Sequence, residues 1–258
     1  MKGVLIDLDG VVYQNDTLIP GADRAIAWLQ QQAIPHLFLT NTTSRPKSAL
    51  LAKLAGFGIR VAPEALLTPP SAAVTYLHDK AKTGNAEIAL FVPEATREDF
   101  AGLAEGEHPL AVVVGDLASG WDFATLNRAF NLLMANPQAE LIALGMTRYW
   151  RASAGLQLDV GAFAAALGFA AEREPVVMGK PSAAFFQQAI SLLELPLSEV
   201  CMIGDDIKAD VGGAQACGIK GVLVKTGKYR DGDLALGTPD FVLETLADLP
   251  EQWQTLGD

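Results

Sequence analysis

Val4-Leu5-Ile6-Asp7-Leu8-Asp9-Gly10-Val11-Val12 decides the fold of this 258-residue chain. A short apolar run ends in two carboxylates two residues apart, and a glycine then turns the chain. A run this short and apolar predicts a strand buried on both faces, in a parallel sheet. Its polar tip then lies at the carboxyl edge of the sheet, where open α/β folds bind ligands. Packing gives no reason for two acids there, because an unpaired buried carboxylate costs several kcal/mol or shifts its pKa. A divalent cation removes that penalty. Asp and Gly are also ordinary turn formers, so a solvated turn is the plain alternative.

A second stretch, Val200-Cys201-Met202-Ile203-Gly204-Asp205-Asp206-Ile207-Lys208-Ala209-Asp210, repeats the pattern and decides against the plain turn. Residues 2–8, 36–40 and 65–68 read as strands. Helical spacing at Ala22, Ala25, Ile26 and Leu29 predicts a helix, and a second, entered at Ser44 and Pro46, buries Leu50, Leu51 and Leu54. The order resumes late, with a helix carrying Phe185, Phe186, Ala189, Ile190 and Leu193. The 200–203 strand, a helix ending at Gly218 and a strand at 221–224 follow. This predicts right-handed crossovers and a doubly wound, Rossmann-like parallel sheet.

The middle supplies another alternating set, with strands at 89–92, 111–114 and 141–144. Its clearest helix is capped by Asp122 and striped by Phe123, Leu126, Phe130 and Leu133. We expect an α/β core of residues 1–77 and 177–258, interrupted by a smaller α/β domain at 78–176.

Composition narrows the partners. Thirty Asp and Glu outnumber nineteen Lys and Arg, for a net charge of −11, with no basic cluster. Neither nucleic acid nor an anionic membrane surface suits such a chain. No signal peptide precedes Asp7 and no run is long enough to span a bilayer, which predicts a cytoplasmic protein. Cys201 and Cys217 lack metal spacing and read as small hydrophobes. His36, His78 and His108 show no ligand spacing either.

In the strand order 3-2-1-4-5, the first and fourth strands are neighbours at the topological switch point. Asp7, Asp9 and Asp205 then converge on one Mg²⁺, a hard cation suited to oxygen ligands, with Asp206 and Asp210 behind them. The second strand ends in Thr40 and Asn41, whose hydroxyl and amides suit an anion, though the same residues also make a plain polar loop. Lys180, between Gly179 and Pro181, reads as a placed cation. The phosphoryl-binding set is Leu8, Asp9, Thr40, Asn41 and Lys180. Asp7 then attacks phosphorus, forming an aspartyl-phosphate, while Asp9 serves as general acid and base. The reaction is Mg²⁺-dependent hydrolysis of a small phosphorylated molecule. Two alternatives stay open: a phosphotransferase or mutase on the same core, and a phosphate-binding module without turnover.

Asp7-Leu8-Asp9-Gly10-Val11, Leu39-Thr40-Asn41, Gly179-Lys180-Pro181 and Gly204-Asp205-Asp206 with Asp210 resemble, in order, the four motifs of the haloacid dehalogenase superfamily. The large insert resembles that superfamily's C2-type cap, the subfamily IIA arrangement. A closer likeness over residues 145–231 is to one phosphatase branch, whose mammalian members carry Ser at the place of Asp9. That difference strengthens the acid/base reading here and weakens any transfer of substrates. Arg148, Tyr149, Trp150 and Arg151 read either as a cap loop over the leaving group or as an interface patch. The insert also leaves a homodimer open.

Overall fold

The computed structural model describes residues 1–81, 87–152 and 155–257, with the side chains of 150–152 left aside. The first third contains β1 (Gly3–Asp7), β2 (Tyr13–Gln14), β3 (Thr17–Leu18), α1 (Ala22–Gln31), β4 (His36–Leu39), α2 (Lys47–Gly56) and β5 (Leu66–Leu67). The middle runs α3 (Pro69–Lys80), β6 (Glu87–Phe91), β7 (Ala104–Glu105), β8 (Ala111–Val114), α4 (Phe123–Ala135) and β9 (Glu140–Ala143). It continues through β10 (Tyr149–Ala152), β11 (Gly155–Leu158), α5 (Val160–Ala171) and β12 (Val176–Val177). The last part holds α6 (Ala183–Leu193), β13 (Val200–Gly204), α7 (Gly213–Ala216), β14 (Lys220–Val224), β15 (Phe241–Leu243) and α8 (Leu249–Gly257).

The chain forms two compact units, one of residues 1–40, 48–67 and 180–258, the other of 41–47 and 68–179. In the first, a parallel sheet runs β15-β14-β13-β1-β4-β5. This is the doubly wound order expected from the sequence, extended by β15, whose three residues were too few to show a period. Every residue of β1 and β13 is buried, as their apolar runs require. Helix α1 buries Ala22, Ala25, Ile26 and Leu29, the face its spacing gives. Helix α2 buries Leu50 and Leu54 but leaves Leu51 half-buried. Each fully buried Leu, Ile or Phe contributes about 1.5–3 kcal/mol.

Register places the site. Ile6 lies beside Ile203 and Asp7 beside Leu39. One step further along these parallel strands come Thr40 and the Gly204-Asp205 corner. The tips of β1, β4, β13 and β14 therefore share one edge.

The second unit has its own parallel sheet, β12-β9-β8-β6-β7, and a separate β10–β11 ribbon. Helix α4 is capped by Asp122, which accepts from Thr125 N (2.7 Å). The expected stripe on α4 needs correction at Phe123. That ring is 83% exposed, and the buried positions are Ala129, Leu132 and Leu133. In the segment read as either a cap loop or an interface patch, Tyr149–Ala152 is a strand paired with Gly155–Leu158. Its partner is so exposed that alternation carried no signal, with Leu156 and Leu158 about 60% exposed. Among the described residues no helix is long and apolar enough to cross a membrane.

Candidate active site

Asp7 ends β1 and is buried, with Lys180 Nζ 2.7 Å from its Oδ1. Lys180 also lies 2.6 Å from Asp210 Oδ1, and its side chain is 3% exposed. Burial alone would lower the lysine's pKa, but the charges of Asp210 and Asp7 outweigh it and hold the ammonium firmly protonated.

Asp205 follows β13. One carboxylate oxygen from each of Asp7, Asp205 and Asp210 lies within 4.8 Å of the others, and all three residues are buried. One lysine cannot neutralise three such charges. Burial, then the charge of Asp7, pushes Asp205 up to about 7. Burial also pushes Asp210 up to about 6, against the pull of Lys180. Asp205 Oδ1 is buried without a hydrogen-bond partner. A buried carboxylate oxygen without a donor, beside two further acids, fits a hard divalent cation.

The chain closes tightly around Asp205. Lys228 N donates to its Oδ2 (2.6 Å). Gly10 and Gly227 pack against each other and against Asp205 with φ of +90° and +60°. A Cβ on either would sit about 2 Å or less from Asp205 Oδ2, at 1.9 and 2.0 Å. Only glycine satisfies both demands. Thr226 Oγ1 donates to Gly10 O, joining the two loops.

Asp206 caps a π-helical turn at Ile207–Gly212, accepting from Lys208 N (3.0 Å) and Ala209 N (2.9 Å). Burial works against its charge, but the Ala209 amide and Lys228 hold it below the usual carboxylate range. Asp206 N in turn donates to Asp210 Oδ2 (3.1 Å). A π-turn in place of the plain helix expected there is a feature often found at functional sites.

The residues singled out from sequence separate accordingly. Asp7, Asp205 and Asp210 meet, with Lys180 among them and Asp206 alongside. Leu8 and Thr40 are buried at the same sheet edge. Asp9 is exposed, and its carboxylate is not part of the three-acid group; Asp210, expected behind the ligands, is. Asn41 belongs to the second unit, where it is half-buried. So do Arg148 and Tyr149, both exposed, the arginine 5.8 Å over the tyrosine ring. The side chains of Trp150 and Arg151 lie outside the described residues. Sequence reasoning missed the role of Gly10 and of Gly227-Lys228. The available signal was the Thr226-Gly227-Lys228 run one residue past the β14 strand. Cys201 is fully buried and its thiol is pushed up to about 12 by burial, an inert packing residue.

This electrostatics sets a pH dependence. The folded protein without metal keeps protons on Asp205 and Asp210 that the unfolded chain gives up near 3.8. Its stability should therefore fall as pH rises from about 4 to about 7 and level off above. Mg²⁺ should reverse the trend, since cation and protons compete for the same oxygens. At about 100 times its Kd we expect a rise of about 5–10 °C in thermal midpoint at pH 8, and a smaller one at pH 5. Thermal melts in chelator and in Mg²⁺ across that range test this. Equal midpoints at pH 8 would exclude a cation among these acids.

A family model described as haloacid dehalogenase-like hydrolase matches residues 4–103, and a second HAD-type model matches 177–249. Phospholysine phosphohistidine inorganic pyrophosphate phosphatase of Rattus norvegicus is 35% identical over 237 residues, spanning 90% of this chain and 86% of that one. Haloacid dehalogenase-like hydrolase domain-containing protein 2 of Homo sapiens is 37% identical over 233 residues, spanning 90% and 87%. Among solved structures, p-nitrophenyl phosphatase from Archaeoglobus fulgidus superposes with a TM-score of 0.88 at 28% identity, covering 97% of this chain and 98% of that one.

Proposed function

The chain belongs to the haloacid dehalogenase-like hydrolases, and on that premise we propose that it is a Mg²⁺-dependent phosphatase of small phosphorylated molecules, working through a phosphoryl group carried on Asp7. The observation that carries this reading is the buried Asp7–Lys180 pair beside Asp205, whose Oδ1 has no donor. Nothing in packing asks for such a cluster, and a phosphoryl-transfer centre does.

Lys180 pairs with Asp7 and aims it, while its own charge attracts the phosphoryl oxygens. Leu8 and Thr40 line the place where those oxygens bind, and Asn41, the next residue in the chain, is proposed from the sequence as a further phosphoryl-binding residue. One Asp7 oxygen attacks phosphorus, and the bond from phosphorus to the leaving oxygen breaks as Asp9 gives that oxygen its proton. Asp9, now a carboxylate, takes a proton from water. The water oxygen then attacks phosphorus, and Asp7 leaves as the free carboxylate. The exposure of Asp9 supports this role, since it must meet both leaving group and solvent. Mg²⁺, held by Asp7 and Asp205 with Asp210 close by and the Asp9 loop beside them, would offset the charge that builds on the phosphoryl oxygens.

Residues 78–176 are proposed as the cap that selects the leaving group, with Arg148, Tyr149 and Trp150 as its candidates. The relatives' names place phosphoamidates and pyrophosphate beside aryl phosphates as substrates to test. Released phosphate is the readout, on a panel of phosphomonoesters, pyrophosphate and phosphoamidates with and without Mg²⁺. Sustained release over many turnovers is expected, and Asp9→Asn should cut it by about 10²-fold or more. A single stoichiometric phosphorylation without turnover would sink the hydrolase reading and leave a phosphate-binding module.

A further inference from the structure

Asp9 sits on a tight loop. Val12 N donates to Leu8 O (2.8 Å), Gly10 N donates to Tyr13 O (2.6 Å), and a β-bridge joins Asp9 to Tyr13. Tyr13 then opens the β2–β3 hairpin, whose turn is Asn15-Asp16. The position of Asp9 is thus set by whatever holds this hairpin.

Lys53, in the last turn of α2, holds it at three points. Its Nζ lies 4.0 Å from the centroid of the Tyr13 ring, donates to the carbonyl of Asn15, and lies 3.1 Å from Asp16 Oδ1. Its side chain is only 16% exposed, unlike the 88% of Asp16. Phe57, just past α2, packs against the same ring with centroids 5.9 Å apart. Asn15 adopts φ of +52°, which turns its carbonyl into an unusual, fixed orientation. An ordinary surface lysine makes one weak ion pair. This one combines a ring, a carbonyl and a carboxylate of a single hairpin.

We propose that Lys53 is a positioning residue for the reaction: by clamping the β2–β3 hairpin from α2 it fixes Tyr13, and through Tyr13 it fixes the Asp9 carboxylate against the leaving group. The proposal rests on Asp9 being the acid and base. Proton donation matters most for poor leaving groups, so a loosened Asp9 should penalise them selectively.

The test uses the full chain in Mg²⁺, with 4-nitrophenyl phosphate as the good leaving group and butyl phosphate as the poor one. Lys53→Met should lower kcat for butyl phosphate about tenfold more than for 4-nitrophenyl phosphate. Lys53→Arg, which keeps charge and donors, should restore the parental ratio. In an Asp9→Asn background Lys53→Met should no longer change the ratio, since the group it positions is gone. Lys53→Gln carries the same comparison should the methionine variant not fold. Equal losses on both substrates, or a ratio change that persists without Asp9, would overturn the clamp and leave the acid/base reading intact. An Asp9→Asn enzyme with the parental ratio would instead overturn that reading itself.

Discussion

Asp7→Asn is expected to bring phosphate release down to background, a loss of at least about 10⁴-fold, while leaving the protein folded. An amide oxygen cannot serve as the nucleophile, and Lys180 loses a charged partner. Yet the same change removes one of three crowded negative charges. Asp7 is a cause of the raised values of both Asp205 and Asp210. In chelator above pH 7 the variant should therefore melt no lower than the parent. Lost turnover with retained stability separates chemistry from architecture. Turnover near the parental rate, with mass spectrometry excluding deamidation back to aspartate, would remove Asp7 from the mechanism.

Lys180→Met should do the opposite to stability. It leaves Asp7 and Asp210 without their buried ion-pair partner, with Lys228 as the ammonium whose charge still reaches the cluster. Breaking a buried ion pair on one side costs about 3–5 kcal/mol. The expected fall in thermal midpoint is on the order of 10 °C at pH 8 in chelator. Acidification toward pH 5 should recover part of it, because Asp205 and Asp210 then take up protons. Mg²⁺ should recover part of it as well. Activity should still fall by about 10²-fold or more, since a cation aimed at the phosphoryl oxygens is gone. An unchanged midpoint at pH 8 in chelator would mean that Lys180 does not balance these acids.

The parallel core was legible because β1 and β13 are buried on both faces, and packing alone does not produce a continuous apolar run that ends in acid. The same grammar pointed to Asp7 and Asp205. It could not rank Asp210 against Asp9, because that ranking depends on chain path after each strand. The π-turn carries Asp210 back toward Lys180, while the loop at Gly10 turns Asp9 outward to solvent. Nor could it find the glycine pair: Gly10 and Gly227 are separated by most of the chain, and their shared neighbour Asp205 appears only once the sheet is assembled. The β10–β11 ribbon was missed for a different reason. A strand with little to bury writes no period in its residues. Lys53 was invisible too, since its partners are a ring face and a carbonyl on a hairpin that sequence periodicity does not register.

The neighbour on one side of β1 is β13, with Gly3 beside Val200. During synthesis the first-made strand thus waits, with one flank of bare peptide groups, until residue 200 and its successors leave the ribosome. The strands β6, β7, β8, β9 and β12, made in between, pair only with one another and need not wait for residue 200. The late segment that covers this sticky flank is the one that delivers Asp205 and the loop around it. A partial polypeptide consequently carries an aggregation hazard but lacks the assembled acid cluster, and both conditions change in the same stretch of translation.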